Sequence, residues 1–174
     1  MSLTDIKNSI RNVPDYPKPG IQFKDITTAM KNPAVFKEII DEMAAHFAER
    51  EIDYVVGIDA RGFIFGAALA YKLGCGFVPV RKPGKLPADT IAEEYALEYG
   101  TDKLEIHRDA LQEGDRVIIV DDLIAVGGTA RAAANLVQRL GAEIAAFAFA
   151  VELTDLHGRE KLQDIAEVYS LVQF

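Results

Sequence analysis

The sequence has almost no cysteine. Cys75 is the only thiol among its 174 residues, which excludes an internal disulfide and a zinc site built from several cysteines. So low a cysteine content is typical of proteins from a reducing compartment. We therefore expect a soluble protein of the cytoplasm.

Long apolar runs are also missing. Nowhere do apolar residues continue for the ~20 positions that a membrane-spanning helix requires. The first residues, MSLTDIKNSIRN, mix polar and apolar side chains and lack the hydrophobic centre of a signal peptide. We therefore expect neither a membrane span nor a cleaved leader.

Positive charge is in deficit. The chain has 19 Lys and Arg against 27 Asp and Glu, which gives a net charge of −8. Such a chain has little electrostatic reason to approach nucleic acid or an anionic membrane. If it binds an anion, local groups must provide the attraction.

Apolar side chains are abundant, at 49% of the residues, so one domain of this length can bury a substantial core. Short apolar segments alternate with segments of helical periodicity. The predicted strands are DYVVGI, GFVPV, VIIV and IAAFAFAV, and the predicted helices are AVFKEIIDEMAAHFAER after Pro33, GFIFGAALAYKLG ending at Gly74, and TARAAANLVQRL stopped by Gly141. Apolar strands separated by helices indicate a single α/β domain, with a mostly parallel sheet and helices on both faces.

Two stretches depart from this alternation. The prolines and glycine of VPDYPKPG, residues 13–20, predict a rigid loop. Between Pro83 and Asp109, the polar alternating stretch TIAEEYALEYGTDKLEIHRD predicts an exposed antiparallel hairpin. Insertions of this length in a compact domain are usually lids or binding loops.

The segment VIIVDDLIAVGGTARAA, residues 117–133, places two carboxylates and two glycines between a strand and a helix. Ligands of open α/β sheets lie beyond the carboxyl ends of the strands, where Asp121 and Asp122 are expected. The turn AVGGT leads directly into a helix, so its free amides and the helix dipole could hold a phosphate. The segment has neither the lysine and spacing of a P-loop nor the GxGxxG fingerprint. The alternative is that the carboxylates only cap the turn and the glycines only permit it.

This segment resembles the binding motif for 5-phosphoribosyl diphosphate (PRPP) of the type I phosphoribosyltransferases. Further segments, in order along nearly the whole chain, are similar to the adenine phosphoribosyltransferase family: PDYPKPGIQFKDIT, GIDARGFIFG, FVPVRKPGKLP, ALEYGTDKLEIHRDAL and VELTDLHGREKL. The resemblance implies purine salvage, in which the 5-phosphoribosyl group of PRPP is transferred to adenine to give AMP and pyrophosphate. It also implies Mg²⁺ as cofactor and a homodimer. Residues 1–174 would form one phosphoribosyltransferase domain, with 1–32 recognising the base and 83–109 forming a flexible lid.

The resemblance also implies where PRPP binds. Asp121 and Asp122 would hold the ribose hydroxyls, directly or through the water shell of Mg²⁺, which prefers hard oxygen ligands. The residues that would hold the 5-phosphate are Ala125, Val126, Gly127, Gly128 and Thr129. The residues that would hold the pyrophosphate are Asp59, Ala60, Arg61, Arg81 and Lys85, of which Arg81 and Lys85 could reach a neighbouring subunit's site. The alternative for these cations is a solvated basic loop, above all for Lys82.

The chemistry implied by the resemblance needs a charge stabiliser and a proton acceptor. C1′ of PRPP would develop oxocarbenium-like charge as pyrophosphate leaves, and Mg²⁺, Arg61 and Lys85 would stabilise the departing group. Glu98, beside Tyr99 on the lid, would accept the proton from N9 of adenine or orient the purine. An exposed glutamate on a hairpin is otherwise simply surface charge.

Adenine recognition is implied for the segment GIQFKD. Phe23 would stack on the purine, and backbone groups around Gln22 and Lys24 would read its amino edge, whereas the alternative for Phe23 is a plain core position. The sequence departs from the family at three positions: Asp59 replaces the usual Glu, Lys24 replaces a frequent Arg, and Val126 replaces Thr. The shorter Asp59 could hold its loop less well, and Lys24 loses a guanidinium fork.

Two rival functions remain. A transferase for hypoxanthine, guanine or xanthine would share the PRPP-binding parts, although GIQFKD and ALEYG favour adenine. A regulator that only senses PRPP would need a nucleic-acid surface, and the sequence has neither a basic stripe nor an added helix-turn-helix. The three histidines, His46, His107 and His157, lack the spacing of a metal site.

Overall fold

A five-stranded parallel sheet forms the centre of the molecule. The computed structural model describes residues 1–97 and 99–174. The helices are α1 (Leu3–Ser9), α2 (Thr27–Lys31), α3 (Pro33–Phe47), α4 (Arg61–Leu73) and α5 (Gly128–Arg139). The strands are β1 (Arg11–Pro14), β2 (Gln22–Asp25), β3 (Tyr54–Ile58), β4 (Gly76–Val80), β5 (Thr90–Ala96), β6 (Thr101–His107), β7 (Arg116–Ile124), β8 (Glu143–Glu152) and β9 (Glu167–Gln173). Two short 3₁₀ helices, Thr154–Leu156 and Gly158–Lys161, lie between β8 and β9.

The order of the central sheet is β4-β3-β7-β8-β9, and every neighbouring pair is parallel. Because all five strands run the same way, their carboxyl ends meet at one edge. Strand β7 lies in the middle, with Val56 of β3 opposite Ile119 and Phe147 of β8 on its other side. The predicted α/β class with a parallel sheet is therefore confirmed.

Local signals explain where the predicted helices begin and end. Asn32 caps α3 by accepting hydrogen bonds from the amides of Ala34 and Val35, and Pro33 occupies the first helical position, where its missing N–H costs nothing. Helix α4 ends at Gly74, whose φ of 73° lies in the left-handed region that glycine adopts freely. The predicted ends of these helices therefore agree with the structure to within a few residues.

Both faces of the sheet are covered, as the apolar strands predict. Helices α1 to α4 pack on one face, around buried side chains such as Met43, Phe65 and Ile118. Helix α5 packs on the other face together with the β5–β6 hairpin, around Ile119, Leu136 and Phe147. The two layers bury nearly all of the large apolar side chains of the sheet.

The β5–β6 hairpin is antiparallel, as predicted, but the expectation that it is exposed is wrong for one of its faces. Ile91, Leu104 and Ile106 are buried, with 8%, 0% and 0% of their surface exposed. Arg139 of α5 donates to the carbonyl of Ala92 and to Glu93, which fixes the hairpin on the helix. The opposite face carries the exposed Glu94 and Lys103. The polar composition of the hairpin therefore suggested more exposure than the fold gives.

Two further elements differ from the sequence expectations. The stretch 13–20 is not entirely a loop, because Val13 and Pro14 belong to β1, which pairs with β2 in an antiparallel hairpin. Strand β9 was not predicted, although EVYSLVQ has strand-like residues, and it pairs with β8 at the edge of the central sheet. No described helix has the length and hydrophobicity needed to cross a membrane.

Removing the side chain of Leu104 tests how firmly the hairpin is docked. Leu104→Ala leaves a cavity where the side chain is fully buried, so we expect the free energy of unfolding to fall by about 2–5 kcal/mol in urea titrations. Leu97, in the same hairpin but 49% exposed, provides the control, and Leu97→Ala should change stability by less than about 0.5 kcal/mol. Equal, small effects of both substitutions would contradict a docked hairpin.

Candidate active site

The candidate site lies at the carboxyl edge of the central sheet, where three strands end side by side. Strand β3 leads into Asp59 and Arg61, β4 leads into Arg81, and β7 carries Asp121 and Asp122 near its end. These strands are direct neighbours in the order β4-β3-β7. Parallel pairing therefore brings together charged residues that are up to 63 positions apart in the sequence.

The loop after β7 forms a pocket with the first turn of α5. Gly127, with φ of 87°, is the N-cap residue, and its carbonyl accepts the amide of Arg131. Gly127 has no side chain with which to cap the helix, so it leaves the amides of the first turn to another acceptor such as an anion. The residues that line the pocket are Asp121, Leu123, Ile124, Ala125, Val126, Gly127, Gly128, Thr129, Ala130 and Phe149.

Val126 points outward from this loop. Its side chain is 56% exposed, so it does not pack beneath the loop. This observation bears on the departure from the family pattern, because a hydroxyl at this position would be accessible and would not be buried without a partner.

Asp121 and Asp122 form a tightly spaced pair. The amide of Asp122 donates to Oδ1 of Asp121 at 2.8 Å. Burial, followed by the charge of Asp122, raises the pKa of Asp121 well above its usual value. The carboxylate of Asp121 is therefore costly to ionise in the ligand-free protein, and a cation or the hydroxyl groups of a sugar would relieve that cost.

Arg61 is the cation nearest to this pair. Its Nε donates to Oδ2 of Asp122 at 2.5 Å, and this contact raises the pKa of Arg61. The Arg61 side chain is still 54% exposed, so its remaining donors can reach a ligand. Gly62 permits the approach, because a Cβ at this position would lie 2.8 Å from Oδ1 of Asp121.

A second cluster forms around Asp59, which is 5% exposed at its side chain. Its Oδ2 accepts hydrogen bonds from Arg81 at 3.3 Å and from Lys85 at 3.4 Å. Burial opposes the charge of Asp59, but Lys85 and Arg81 together lower its pKa. The shorter Asp59 therefore still holds both predicted pyrophosphate-binding cations at the end of β4. The peptide bond between Asp59 and Ala60 is cis.

Lys82 differs from the sequence expectation of a solvated basic side chain. Its Nζ contacts Oδ2 of Asp102 and donates to the hydroxyl of Tyr95 at 3.2 Å. Partial burial works against its charge, but Asp102 and Tyr95 raise its pKa. Lys82 therefore links the loop after β4 to the β5–β6 hairpin.

The predicted base-binding residues lie on strand β2, and they divide between its two faces. Gln22 accepts a hydrogen bond from Asn12 at 2.7 Å, and Lys24 donates to Asn12 at 2.9 Å, so these two side chains share one face. Phe23 lies on the opposite face, 5.2 Å from the ring of Tyr16. Only the backbone of Gln22 and Lys24 could therefore contact a ligand on the side of Phe23.

Phe23 borders a second pocket, which is lined by Val13, Tyr16, Phe23, Asp25, Thr27 and Arg61. Because Arg61 also contacts Asp122, it joins this pocket to the pair of aspartates. Phe23 is only partly buried, which excludes the alternative of a plain core position. Tyr16, Asp25 and Thr27 were not predicted, although an aromatic residue between the prolines of VPDYPKPG is a recognisable signal.

The tip of the β5–β6 hairpin is where Tyr99 lies. Tyr99 is 81% exposed, and Nζ of Lys18 lies 5.8 Å from the centroid of its ring. The tip therefore approaches the N-terminal loop near the Phe23 pocket. Glu98, the predicted proton acceptor, lies outside the described residues.

Two other residues near the pocket after β7 were missed by sequence reasoning. Tyr95 of β5 lies close to Gly128, where a Cβ would be 3.7 Å from its ring. Gly158 packs against the loop after β7, where a Cβ on Gly158 would lie 2.3 Å from the carbonyl oxygen of Ala125. Neither residue carries a signal in the sequence, because both reach the loop only through tertiary packing.

Comparison with protein families agrees with this geometry. Residues 26–173 match the family described as the phosphoribosyl transferase domain. An adenine phosphoribosyltransferase of Thermosynechococcus vestitus is 60% identical over 161 residues, which cover 92% of this chain and 95% of that protein.

Solved structures give the same picture. Adenine phosphoribosyltransferase from Thermoanaerobacter pseudethanolicus superimposes with a TM-score of 0.95 at 54% identity, covering 99% of this chain and 100% of that one. The enzyme from Saccharomyces cerevisiae, complexed with an imino-altritol bisphosphate and adenine, has a TM-score of 0.93 at 44% identity, covering 98% of each chain.

Asp25, beside the Phe23 pocket, allows a test by pH. Hydrogen bonds from Thr27, followed by those from Arg11, lower its pKa from 3.8 to about 2. Because the pKa is lower in the folded state, the ionised side chain stabilises the fold above its unfolded pKa, and this contribution disappears as pH falls toward about 2. We expect Asp25→Asn to lower the melting temperature at pH 7, and the difference from wild type to shrink below about pH 4.

Melting curves over a pH series measure this effect. The exposed Asp155 supplies the control, and Asp155→Asn should leave the melting temperature nearly unchanged throughout the series. A difference for Asp25→Asn that stays constant as the pH falls would show that ionisation of Asp25 is not the cause.

Proposed function

Since the chain belongs to the adenine phosphoribosyltransferase family, we propose that it transfers the 5-phosphoribosyl group of PRPP to adenine. The products are AMP and pyrophosphate, and the role is purine salvage. The observation that carries this proposal is the strand-loop-helix unit of β7 and α5. It places Asp121 and a tight glycine-containing turn in one pocket, and the adjacent Asp122 contacts Arg61.

The loop after β7 is proposed to hold the 5-phosphate of PRPP. Backbone amides of Gly127, Gly128 and Thr129 would donate to its oxygens, and the dipole of α5 would favour the negative charge. Asp121 and Asp122 precede the loop on β7 and would accept hydrogen bonds from the ribose hydroxyls. The spacing within one pocket supports this division, because a sugar phosphate presents its hydroxyls and its phosphate at opposite ends.

Arg61 is proposed to bind the pyrophosphate portion of PRPP. Its guanidinium contacts Asp122 through one nitrogen and is half exposed, so its other donors could bind two oxygens at once. Arg81 and Lys85 would supply further positive charge, with Asp59 and Ala60 shaping the loop between them and Arg61. As the bond from C1′ to pyrophosphate lengthens, these cations would stabilise the leaving group.

Mg²⁺ is proposed as the cofactor that accompanies PRPP. Among the residues that the structure describes, no three His, Cys, Asp or Glu side chains converge as a protein-only metal site. Asp121 and Asp122 fit an ion that takes most of its ligands from water and substrate oxygens, as Mg²⁺ does. The raised pKa of Asp121 supports this fit, because a nearby cation would stabilise its ionised form. When bound, the ion would neutralise charge on the pyrophosphate.

Adenine is proposed to occupy the pocket beside Phe23. The Phe23 ring would stack on the purine, and Tyr16, which meets Phe23 edge-on, would limit the width of the pocket. Backbone groups of Gln22 and Lys24 would bind the amino edge. Arg61 borders both this pocket and the aspartates, so the base would lie on the side of the sugar from which N9 can attack C1′. Glu98 is proposed to take the N9 proton.

The β5–β6 hairpin is proposed to act as a lid at its tip rather than along its whole length. Its inner face is held by Leu104 and Ile106 in the core, whereas the tip, with Tyr99, is exposed. Movement confined to the tip would exclude water from the reacting atoms and protect PRPP from hydrolysis.

A homodimer is also proposed, as is a cytoplasmic location. The outer face of α4 exposes Ile64, Ala67 and Tyr71, at one-turn intervals from Arg61, and Tyr71 is 89% exposed. An apolar stripe of this kind is suited to a second copy of the chain. Light scattering on the purified protein measures the assembly directly.

The proposed reaction is tested by mixing the purified protein with PRPP, Mg²⁺ and one base at a time. We expect pyrophosphate release and AMP formation with adenine, and much slower release with hypoxanthine, guanine or xanthine. If the protein reacts faster with one of the other bases than with adenine, that base is the substrate and the adenine assignment is wrong. PRPP binding without release on any base would favour the PRPP-sensing alternative.

Glu98→Gln tests the proton acceptor. The amide cannot take a proton, so we expect kcat to fall by about 10²–10⁴, the usual range for loss of a general base. The exposed Glu94 lies on the same hairpin, and Glu94→Gln should keep kcat near the wild-type value. A Glu98→Gln enzyme with wild-type kcat would reduce Glu98 to a surface charge, whereas a rise in KM alone would indicate binding.

Val126→Thr tests the departure in the phosphate loop. The added hydroxyl could donate a charge-assisted hydrogen bond, which is worth roughly 1.5–3 kcal/mol, so we expect the Kd for PRPP to fall by about tenfold or more. Because Val126 is exposed, the melting temperature should not fall. Val126→Ala adds no hydroxyl and should not tighten binding. Unchanged or weaker PRPP binding by Val126→Thr, measured by calorimetry, would refute the assigned contact.

A further inference from the structure

Gly158, in the connection between β8 and β9, lies directly against the phosphate loop. A Cβ on Gly158 would lie 2.3 Å from the carbonyl oxygen of Ala125, and a Cβ on Gly127 would lie 2.6 Å from the carbonyl oxygen of Gly158. Both distances are shorter than real Cβ contacts allow, so there is no room for a side chain at either glycine. The backbone at Gly158 therefore packs directly against the backbone of the loop. Gly158 therefore limits how far the loop can move away from the pocket that it lines.

The residue before Gly158 has an unusual backbone conformation. His157 has φ of 55° and ψ of 28°, the left-handed region that side chains with a Cβ rarely adopt. Such a conformation persists only where the surrounding structure imposes it. His157 itself is exposed, so its own side chain is not what holds the backbone there.

The adjacent Arg159 supplies the restraint. Its Nε and Nη2 bind the two carboxylate oxygens of Glu152 at 3.0 and 2.6 Å, and its Nη1 donates to the carbonyl of Val168 at 2.6 Å. This forked geometry fixes the orientation of the guanidinium as well as its position. Arg159 thus joins the short helix after β8 to the ends of both β8 and β9.

Glu152 is a buried carboxylate committed to this contact. Its side chain is 6% exposed, and it also accepts hydrogen bonds from Ser170 and Gln173 of β9. Burial opposes its charge, but Arg159 and Ser170 lower its pKa. Without Arg159, the buried carboxylate of Glu152 would lose its charged partner, which is energetically costly. We expect the segment around Gly158 to shift in response.

Neither Glu152 nor Arg159 lines the phosphate pocket, so neither is suited to touch the substrate. From these contacts we infer that the pair of Glu152 and Arg159 positions the phosphate-binding loop through Gly158. Both are positioning residues, and they would set the affinity for the 5-phosphate of PRPP. The role of the loop in this inference rests on the proposed function, whereas the restraint itself is a property of the fold.

Arg159→Gln tests the inference in two independent ways. In hydrogen exchange, amides of the loop peptide 123–131 should exchange about tenfold faster than in wild type, because local opening becomes easier. In the transferase assay, KM for PRPP should rise about tenfold with kcat within about twofold and KM for adenine unchanged. This is less than the roughly hundredfold that an ångström of misplacement can cost. Arg159→Lys keeps the positive charge on a single nitrogen but loses the fork, so it should recover part of both effects.

Arg50→Gln is the matched control. Arg50 binds Glu167 at 2.5 Å with 32% of its side chain exposed, against 35% for Arg159, but it follows the end of α3 and its partner lies at the start of β9. Because Glu167 is 38% exposed and Glu152 only 6%, Arg50→Gln should lower stability less than Arg159→Gln. It should change neither loop exchange nor KM for PRPP. Gly158→Ala keeps the ion pair but must displace Ala125, so it should reproduce the rise in KM for PRPP.

The exchange and kinetic measurements together decide whether Arg159 positions the loop. Loop exchange in Arg159→Gln that equals that in Arg50→Gln overturns the inference, as does faster exchange with an unchanged KM for PRPP. If the wild-type protein forms no nucleotide from any base, the proposed function fails, and the exchange comparison alone then decides whether the restraint exists. If Arg159→Gln does not fold, Arg159→Lys and Gly158→Ala are compared with Arg50→Gln by the same two measurements.

Discussion

The contact between the amino end of α4 and the carboxyl end of β7 is the constraint on which the candidate site depends. A Cβ on Gly62 would lie less than 3 Å from Asp121, so only a glycine allows the helix to approach the strand this closely. This approach places Arg61 on Asp122 at 2.5 Å. Without it, the loop after β3 and the loop after β7 would form two separate surfaces.

The same edge of the sheet concentrates positive charge in a chain that is acidic as a whole. The net charge is −8, yet Arg61, Arg81 and Lys85 gather at the ends of two adjacent strands, and Asp59 and Asp122 hold them in place. Helix α5 adds the amides of its first turn and the positive end of its dipole. In the proposed function, this local arrangement rather than the total charge would attract the phosphate groups.

Sequence reasoning was most accurate where a local pattern has one physical cause. The parallel sheet follows from apolar strands separated by helices, and the end of α4 follows from Gly74, whose left-handed conformation the structure confirms. It was less accurate for the β5–β6 hairpin, because alternating polar residues do not reveal that Leu104 and Ile106 meet α5. Strand β9 was missed because its mixed pattern becomes a strand only by pairing with β8.

By itself, the sequence determined four strands of the central sheet, the three long helices, their approximate ends and the strand-loop-helix unit at 117–133, which resembles a PRPP-binding motif. These properties depend on residues close together in the chain, where backbone preference and side-chain periodicity act directly. Tertiary structure alone decided that Phe23 and Arg61 border one pocket. It also decided that Asp59 binds both Arg81 and Lys85 and that Gly158 packs against the loop after β7. Those relations join residues far apart in the chain, and they exist only because parallel pairing of the strands brings their carboxyl ends to one edge.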